Sequence, residues 1–298
     1  MSPPLQNAHP FVSVIMPHYQ DLEGLKICLA SLEAQDYPRD RFEIVVGDNN
    51  SPVGLAAVTE AVAGRARVVV VTEKGAGPAR NGAVAASKGE VLAFIDSDCV
   101  AEPAWLTEGV AGLARFDLVG GHVRVLVQDP DHMTSAEAFE RVFAFDFKTY
   151  IEKKGFTGAG NMFCRRELFD RTGAFRVGLS EDLEWSRRAV ATGARLGYAP
   201  GAVVGHPARV TWEQLRGKWR RLNAETFGLM DGQKHQRVKW LARNALMPLS
   251  AIAHTPKVLT SGELNTAKQR AQAIGMLFRL RLWRLYDAVA LLLATRPG

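Results

Sequence analysis

The sequence is poor in cysteine and has no long apolar run. Its three cysteines, Cys28, Cys99 and Cys164, are far apart and odd in number. That spacing excludes a disulfide framework and a four-cysteine zinc site, and fits a reducing compartment. No window supplies the roughly 20 apolar residues that a membrane-spanning helix needs. The opening stretch MSPPLQNAHP lacks the basic-then-apolar pattern of a secretory signal. A cytoplasmic protein is expected, peripheral at most on the cytoplasmic face of a membrane. Low-complexity tracts, internal repeats and linker-like segments are missing too.

What remains is a globular chain of 298 residues, 47% hydrophobic and 23% charged, long enough to bury a sizeable core. Its net charge is +6 and unevenly spread. From Arg209 onward, cations such as Arg216, Lys218, Arg220, Arg221, Arg279, Arg281 and Arg284 outnumber the acids Glu213, Glu225, Asp231, Glu263 and Asp287. Nucleic acid is not the expected partner, because these cations are scattered and no recognition module accompanies them.

The first hundred residues alternate between two periods. FVSVIM (residues 11–16), stopped by Pro17, RFEIVVGD, RVVVVT (residues 67–72) and VLAFI read as buried strands. Between them, LEGLKICLASLEAQ, GLAAVTEAVA and GPARNGAVAASKG read as helices, the last with Pro78 in its first turn and Gly89 at its end. Strand–helix alternation with apolar strands predicts an α/β fold, a mostly parallel sheet with helices on both faces. Ligands of such sheets sit beyond the carboxyl ends of the strands, where His18, Tyr19, Asp48, Thr72, Lys74, Asp96 and Asp98 fall. After Pro103, DLVGGHVRVLV reads as a longer strand and SAEAFERVFAFDFKTYIEK as one aromatic-rich helix. Beyond Thr211 the chain reads as helical and basic.

VLAFIDSDC ends a buried strand on two carboxylates, Asp96 and Asp98. Acids there must keep water or find a cation, and Asp-X-Asp suits Mg²⁺ or Mn²⁺, which take oxygen ligands and leave positions open for phosphates. The plain alternative is a solvated loop. DSDCV also matches the nucleophile motif of haloacid-dehalogenase-like phosphatases, with Asp96 attacking phosphorus. Against that reading, three strand–helix units precede this strand and no later Thr/Ser and lysine follow in order.

Five motifs together are more specific. VSVIMPHYQ, EIVVGDNNS, KGAGPARNGAVAASKGEVLAFIDSDC, GAGNMFCRRELFDRTGAF and SEDLEWSRRAVATGARLGYAPGAVVGHP resemble, in order and spacing, the inverting family-two glycosyltransferases of the GT-A fold, a Rossmann-like architecture. The resemblance spans roughly residues 11–207. It implies a metal-dependent enzyme, of hexosyltransferase class, that moves a sugar from a nucleoside-diphosphate donor, UDP first among them, to a hydroxyl of a glycan or lipid-linked saccharide. Its setting would be polysaccharide or glycoconjugate biosynthesis. The non-enzyme alternative is a module of this fold that binds a sugar nucleotide or glycan without turnover.

The resemblance also implies roles. Pro17, His18, Tyr19, Asp48, Arg80, Asp96 and Ser97 would hold the nucleotide, with Arg80 near the phosphates. Asp98, with Asp96 and His206, would hold Mn²⁺ or Mg²⁺. Asp182 would be the catalytic base, and Gly160, Asn161, Glu181 and Trp219 would meet the donor or acceptor sugar. Each residue has a plainer reading: Asp48 as a turn residue, Arg80 as a solvated helix arginine, Asp182 as part of a helix start after Ser180, His206 as a structural histidine. The chain departs from the family's DDGS with GDNNS at residues 47–51. LRGKWRR lacks the Gln-X-X-Arg-Trp of processive synthases, so one sugar per visit is expected.

The expected organisation is a catalytic domain over residues 1–210, its nucleotide half at about 11–100 and its acceptor half at about 101–210, followed by a helical extension over 211–298. Residues 273–295 and 238–253 mix apolar and basic positions. They read either as interfacial helices on an anionic membrane surface or as core helices of the protein.

Overall fold

The computed structural model describes residues 9–177, 180–228, 230 and 235–294. The chain divides into two compact units, Met1–Arg124 with Phe145–His206, and Val125–Ala144 with Pro207–Gly298.

The first unit opens with β1 (Val12–His18), α1 (Leu22–Glu33), β2 (Phe42–Asp48), α2 (Leu55–Val62), β3 (Arg67–Val70), α3 (Ala76–Ala85) and β4 (Val91–Ile95). These strands pair in parallel in the order β3-β2-β1-β4. Alternate side chains leave to opposite faces. Val14, Met16, Val46 and Ala93 pack with Leu25 and Leu29 of α1 and Val58 of α2. Ile15, Val45, Leu92 and Phe94 pack with Ala83 and Val84 of α3 on the other side. Burial on both faces is why β1, β2 and β4 read as unbroken apolar runs. Strand β3, expected as a buried strand over residues 67–72, is instead an edge strand ending at Val70, with Arg67 and Val70 exposed. Gly47 allows the close packing of α3, since a Cβ there would lie 2.1 Å from the Ala79 carbonyl oxygen.

Beyond β4 come β5 (Val100–Ala101), α4 (Trp105–Gly112), β6 (Leu118–Leu126), α5 (Ser135–Phe143), α6 (Phe147–Lys154), β7 (Asn161–Arg165), α7 (Arg166–Thr172), α8 (Glu181–Ala191) and β8 (Leu196–Pro207). The eight-stranded sheet runs β3-β2-β1-β4-β7-β6-β8-β5. Here β7 is antiparallel to both β4 and β6, and β5 is antiparallel to β8. Parallel pairing is thus shown for the nucleotide half, with antiparallel ladders in the other.

Three further local expectations are corrected. Strand β1 continues through Pro17, which pairs with Gly47 of β2. Its pairing with β4 ends at Ile15, so the missing N–H of Pro17 breaks no ladder on that side. The single helix expected over residues 135–153 is two, α5 and α6. Phe145 between them has φ 55°, and Asp146 restarts the helix by accepting from the Thr149 N–H at 3.2 Å. The stretch 125–144, read as catalytic from sequence, belongs to the second unit, because the apolar face of α5 (Phe139, Val142) packs in that unit's core.

The second unit adds α9 (Trp212–Gly228), α10 (Gln236–Ala245), α11 (Met247–Leu259) and α12 (Ala267–Ala294). Its core joins Phe139 and Val142 to Leu215, Val258, Leu277 and Leu280. Buried Glu140 is paired by Arg209 at 3.0 Å and Lys218 at 2.9 Å. Burial raises its pKa, but these cations outweigh that and hold it below the usual carboxylate range. Among the described residues, no helix is long and apolar enough to cross a membrane.

Candidate active site

At the carboxyl ends of β1 and β2, parallel register sets His18 beside Asp48. The His18 Nδ1 and Asp48 Oδ1 are 2.8 Å apart and both residues are buried. Ser51 donates to the same carboxylate through Oγ at 2.6 Å and through its N–H at 3.0 Å. Burial raises the Asp48 pKa, yet the bonds from Ser51 and His18 hold it below its ordinary value. His18 Nε2 is buried without a protein partner. Asn49 ties the neighbouring loop: its Nδ2 donates to the carbonyls of Val71 and Glu73, and its Oδ1 accepts from the Gly75 N–H. A hollow of about 280 Å³ opens here, lined by Tyr19, Asn49, Asn50, Thr72 and Lys74.

The second part of the site is a cluster of acids around one arginine. Arg80, in α3, is only 5% exposed. Its Nη2 donates to Asp96 Oδ1 at 2.6 Å and its Nη1 to Glu181 Oε1 at 3.1 Å. Burial lowers its pKa, but Asp96, Glu181 and Asp182 together raise it above its ordinary value. Asp96 follows β4, and the antiparallel register that pairs Ile95 with Asn161 puts Gly160 opposite it. A Cβ on Gly160 would lie 2.6 Å from Asp96 Oδ2. Gly160→Ala should therefore push Asp96 off Arg80 and, with Asp96 in the nucleotide-holding role the resemblance implies, weaken nucleotide binding about tenfold, roughly 1.4 kcal/mol. The melting temperature should barely change, because the displaced group is the end of a flexible side chain. Calorimetric titration with thermal melting checks both.

Asp182, in the first turn of α8, accepts the Leu183 N–H on Oδ1 at 2.7 Å. Burial first, then the neighbouring Glu181, push its carboxyl up to about 6, against the pull of Arg80. A carboxylate with that value exchanges protons near neutral pH.

The third part comes from β8. Pairing of Val100 with Gly205 brings the turn after β4 against His206, whose Nε2 is 3.5 Å from Asp98 Oδ2. The turn is closed by the Cys99 N–H donating to the Asp96 carbonyl at 3.1 Å, with Ser97 half-buried inside it. Ligand atoms of Asp98, Cys99 and His206 lie within 4.8 Å of one another. Phe145 packs on the His206 ring, centroids 4.5 Å apart. Burial and Asp96 hold Asp98 above its ordinary value despite His206. Asp96, Glu181 and Asp182 face one arginine and Asp98 faces one histidine, so added positive charge is favoured. A carboxylate and an imidazole make a donor set that fits Mn²⁺ or Mg²⁺. Cys99 does not fit a hard cation as well, since burial keeps its thiol protonated.

Several expected roles change. Arg80, expected at the phosphates, holds Glu181 and Asp96 through its two Nη atoms. Asn161 was expected to meet a sugar. Its side chain is instead fully buried, accepting from Trp105 Nε1 at 2.9 Å and donating to the carbonyls of His122 and Ala202 at 2.9 Å each. Gly160 makes room for Asp96, and Glu181 is an ion partner of Arg80. Trp219 lies in the second unit, with the Arg284 guanidinium 4.2 Å from its ring centroid. Sequence reading assigned no role to Asn49, and missed Phe145 against His206 and the buried Cys99 beside Asp98. The Asn-Asn pair after β2 was the available signal for the first; nothing local marked the other two.

Residues 13–186 match the family model for glycosyl transferase family 2. The glycosyltransferase AglE of Haloferax volcanii is 32% identical over 219 residues, covering 71% of this chain and 71% of that protein. Among solved structures, the mannosyltransferase PcManGT from Pyrobaculum calidifontis, in complex with GDP-Man and Mn2+, superposes with a TM-score of 0.52 at 21% identity, covering 98% of this chain and 76% of that one. TarS 1-349 of S. aureus, in complex with UDP-GlcNAc, gives 0.53 at 18% identity, covering 94% and 88%. These two show the GT-A fold. The phosphatase and binding-module readings give way to a family match spanning the acids themselves, and Asp96, tied to Arg80, is not a free nucleophile. The chain belongs to glycosyl transferase family 2 and is a glycosyltransferase.

Proposed function

We propose that the enzyme transfers one sugar per visit from a nucleoside-diphosphate sugar, UDP-linked first among candidates, to a hydroxyl of a glycan or lipid-linked saccharide, with inversion. The observation that carries this reading is Asp182, a carboxylate poised at about pH 6 beside the Arg80–Asp96–Glu181 cluster. The related structures are complexes with GDP-Man and UDP-GlcNAc, both nucleotide sugars.

In this reading the nucleoside occupies the hollow beside Tyr19, with Lys74 and Thr72 at its rim. Asp48 shapes the pocket by holding His18 and the turn at Ser51, since its oxygens are already engaged. Arg80 keeps Asp96 and Glu181 in place. Asp98 and His206 would hold a divalent cation. That ion, when bound, would stabilise the negative charge of the departing diphosphate. Asp182 takes the proton of the acceptor hydroxyl as its oxygen bonds to the anomeric carbon. The carbon–oxygen bond to the diphosphate breaks on the opposite face, and the electron pair leaves with the diphosphate. A lipid-linked acceptor would bring the enzyme to the cytoplasmic face of a membrane as a peripheral protein.

The test is product analysis. Acceptor saccharide incubated with UDP-sugars and Mn²⁺ should gain a single sugar by mass spectrometry, with the anomeric configuration opposite to the donor's by proton NMR. Retained configuration, or long chains, would contradict the reading.

The base also sets a pH profile. Asp182 works ionised, so kcat should be level above neutral pH and fall about tenfold per unit well below pH 6. A profile of kcat with its acid limb near 4 would separate Asp182 from the reacting proton.

A further inference from the structure

Over its C-terminal half, α12 is inside out. Leu282, Tyr286, Val289 and Leu293 are 55%, 69%, 39% and 68% exposed. Their spacing puts all four on one stripe of the helix. The opposite side turns Arg284 and Asp287 inward, 7% and 4% exposed. There Asp287 accepts from Asn223 Nδ2 at 3.0 Å and from Arg220 Nε at 3.3 Å, while Arg284 Nε donates to Asn223 Oδ1 at 3.2 Å. A helix bordered by water does the reverse. Two charges of this helix are spent inside, and Leu282 and Leu293 face out.

The neighbouring helices repeat the pattern. Trp240, Met247, Ala251 and Val258 of α10 and α11 are buried, while Val238, Leu241, Leu246, Leu249, Ile252 and Leu259 are exposed. These three helices and Leu246 between them carry ten of the eighteen large hydrophobic residues exposed among the described residues. That concentration marks a contact surface.

Charge selects the occupant. Residues 235–294 hold nine lysines and arginines against two acids, Glu263 and Asp287. Asp287 is buried, and Glu263 is paired with Arg141 at 2.7 Å. Arg237, Lys239, Arg243, Lys257 and Arg279 are exposed. A second copy of the chain would set cations against cations. The stripe from Leu282 to Leu293 is about 16 Å long, against a hydrocarbon layer of ~30 Å, so it suits lying on a bilayer and not crossing it.

We propose that α10, α11 and α12 dock on an anionic lipid bilayer, the apolar stripes at the boundary of headgroups and acyl chains and the flanking cations at lipid phosphates. This deepens the peripheral placement proposed above. Its test reads binding instead of turnover, so failure of either is told apart from failure of the other.

The full chain is floated with vesicles of phosphatidylcholine alone, and of phosphatidylcholine with roughly 30 mol% phosphatidylglycerol. Strong flotation is expected only with the anionic vesicles, weakening as salt rises. Two variants, Leu249→Glu with Ile252→Glu and Tyr286→Glu with Leu293→Glu, should each lose at least about tenfold of that binding. Their circular dichroism and melting should stay as in the parent, because the changed side chains are exposed. No flotation of the parent, equal flotation with both vesicle types, or variants that float as the parent does would overturn the proposal. So would a dimer in sedimentation that either variant dissociates, since a second copy would then cover this face.

Discussion

Asp182→Asn is expected to lower kcat by about a thousandfold while leaving nucleotide affinity unchanged. General-base catalysis supplies about 10²–10⁴ in rate, and the amide keeps the shape of the carboxylate without its basicity. The acid limb of the pH profile should vanish with it. Stability should move the other way. The folded chain holds the Asp182 proton more tightly than the unfolded chain, from the ordinary 3.8 up to about 6. Its ionisation therefore costs stability, with the cost setting in as pH rises from 3.8 to 6 and complete above that. Asn removes that cost, so the variant should be more stable by roughly 3 kcal/mol at pH 7 and no more stable at pH 3. Single-turnover kinetics and thermal melts at the two pH values check this. Full activity, or lost nucleotide binding, would remove Asp182 from the role of base.

Asp98→Ala should lower kcat/KM by about a thousandfold, and the residue of activity should no longer respond to Mn²⁺. Removing one preorganised electrostatic stabiliser costs about 10²–10³, and loss of this carboxylate would release the cation as well. The fold should tolerate the change, because burial and Asp96 make the ionised Asp98 an uncomfortable neighbour in the absence of a cation. His206→Ala should cost less, about tenfold to a hundredfold, since Asp98 and Asp96 stay. Metal titrations of activity for the three proteins give the comparison. An Asp98→Ala enzyme with an unchanged Mn²⁺ response would move the metal elsewhere.

The nucleotide half was legible because β1, β2 and β4 are buried on both faces and so stand out as apolar runs between helices. Their carboxyl ends then named His18, Asp48, Asp96 and Asp98 without any tertiary information. Strand direction beyond β4 was not legible, since a five-residue run such as residues 161–165 carries no orientation. The pairing that brings His206 to Asp98 depends on β5, two residues long, far too short for a periodic signal. Asn161 was found but given the wrong partner, because an amide under a tryptophan is made by contacts distant in sequence. The break between α5 and α6 hid behind Phe145, a residue type that does not announce a positive φ. The apolar stripe of α12 was equally hidden. Composition gave its basic, amphipathic character, and only packing showed which side faces out.

The central claim is that Asp98, just beyond β4, and His206 of β8 hold a metal-bound nucleoside diphosphate. Calorimetric titration of UDP and GDP into the protein, with and without Mn²⁺, and again into Asp98→Ala, tests it directly. One of these nucleotides should bind tightly, in the parent alone and with the metal alone. Binding of equal strength without Mn²⁺, or in Asp98→Ala, would contradict the claim.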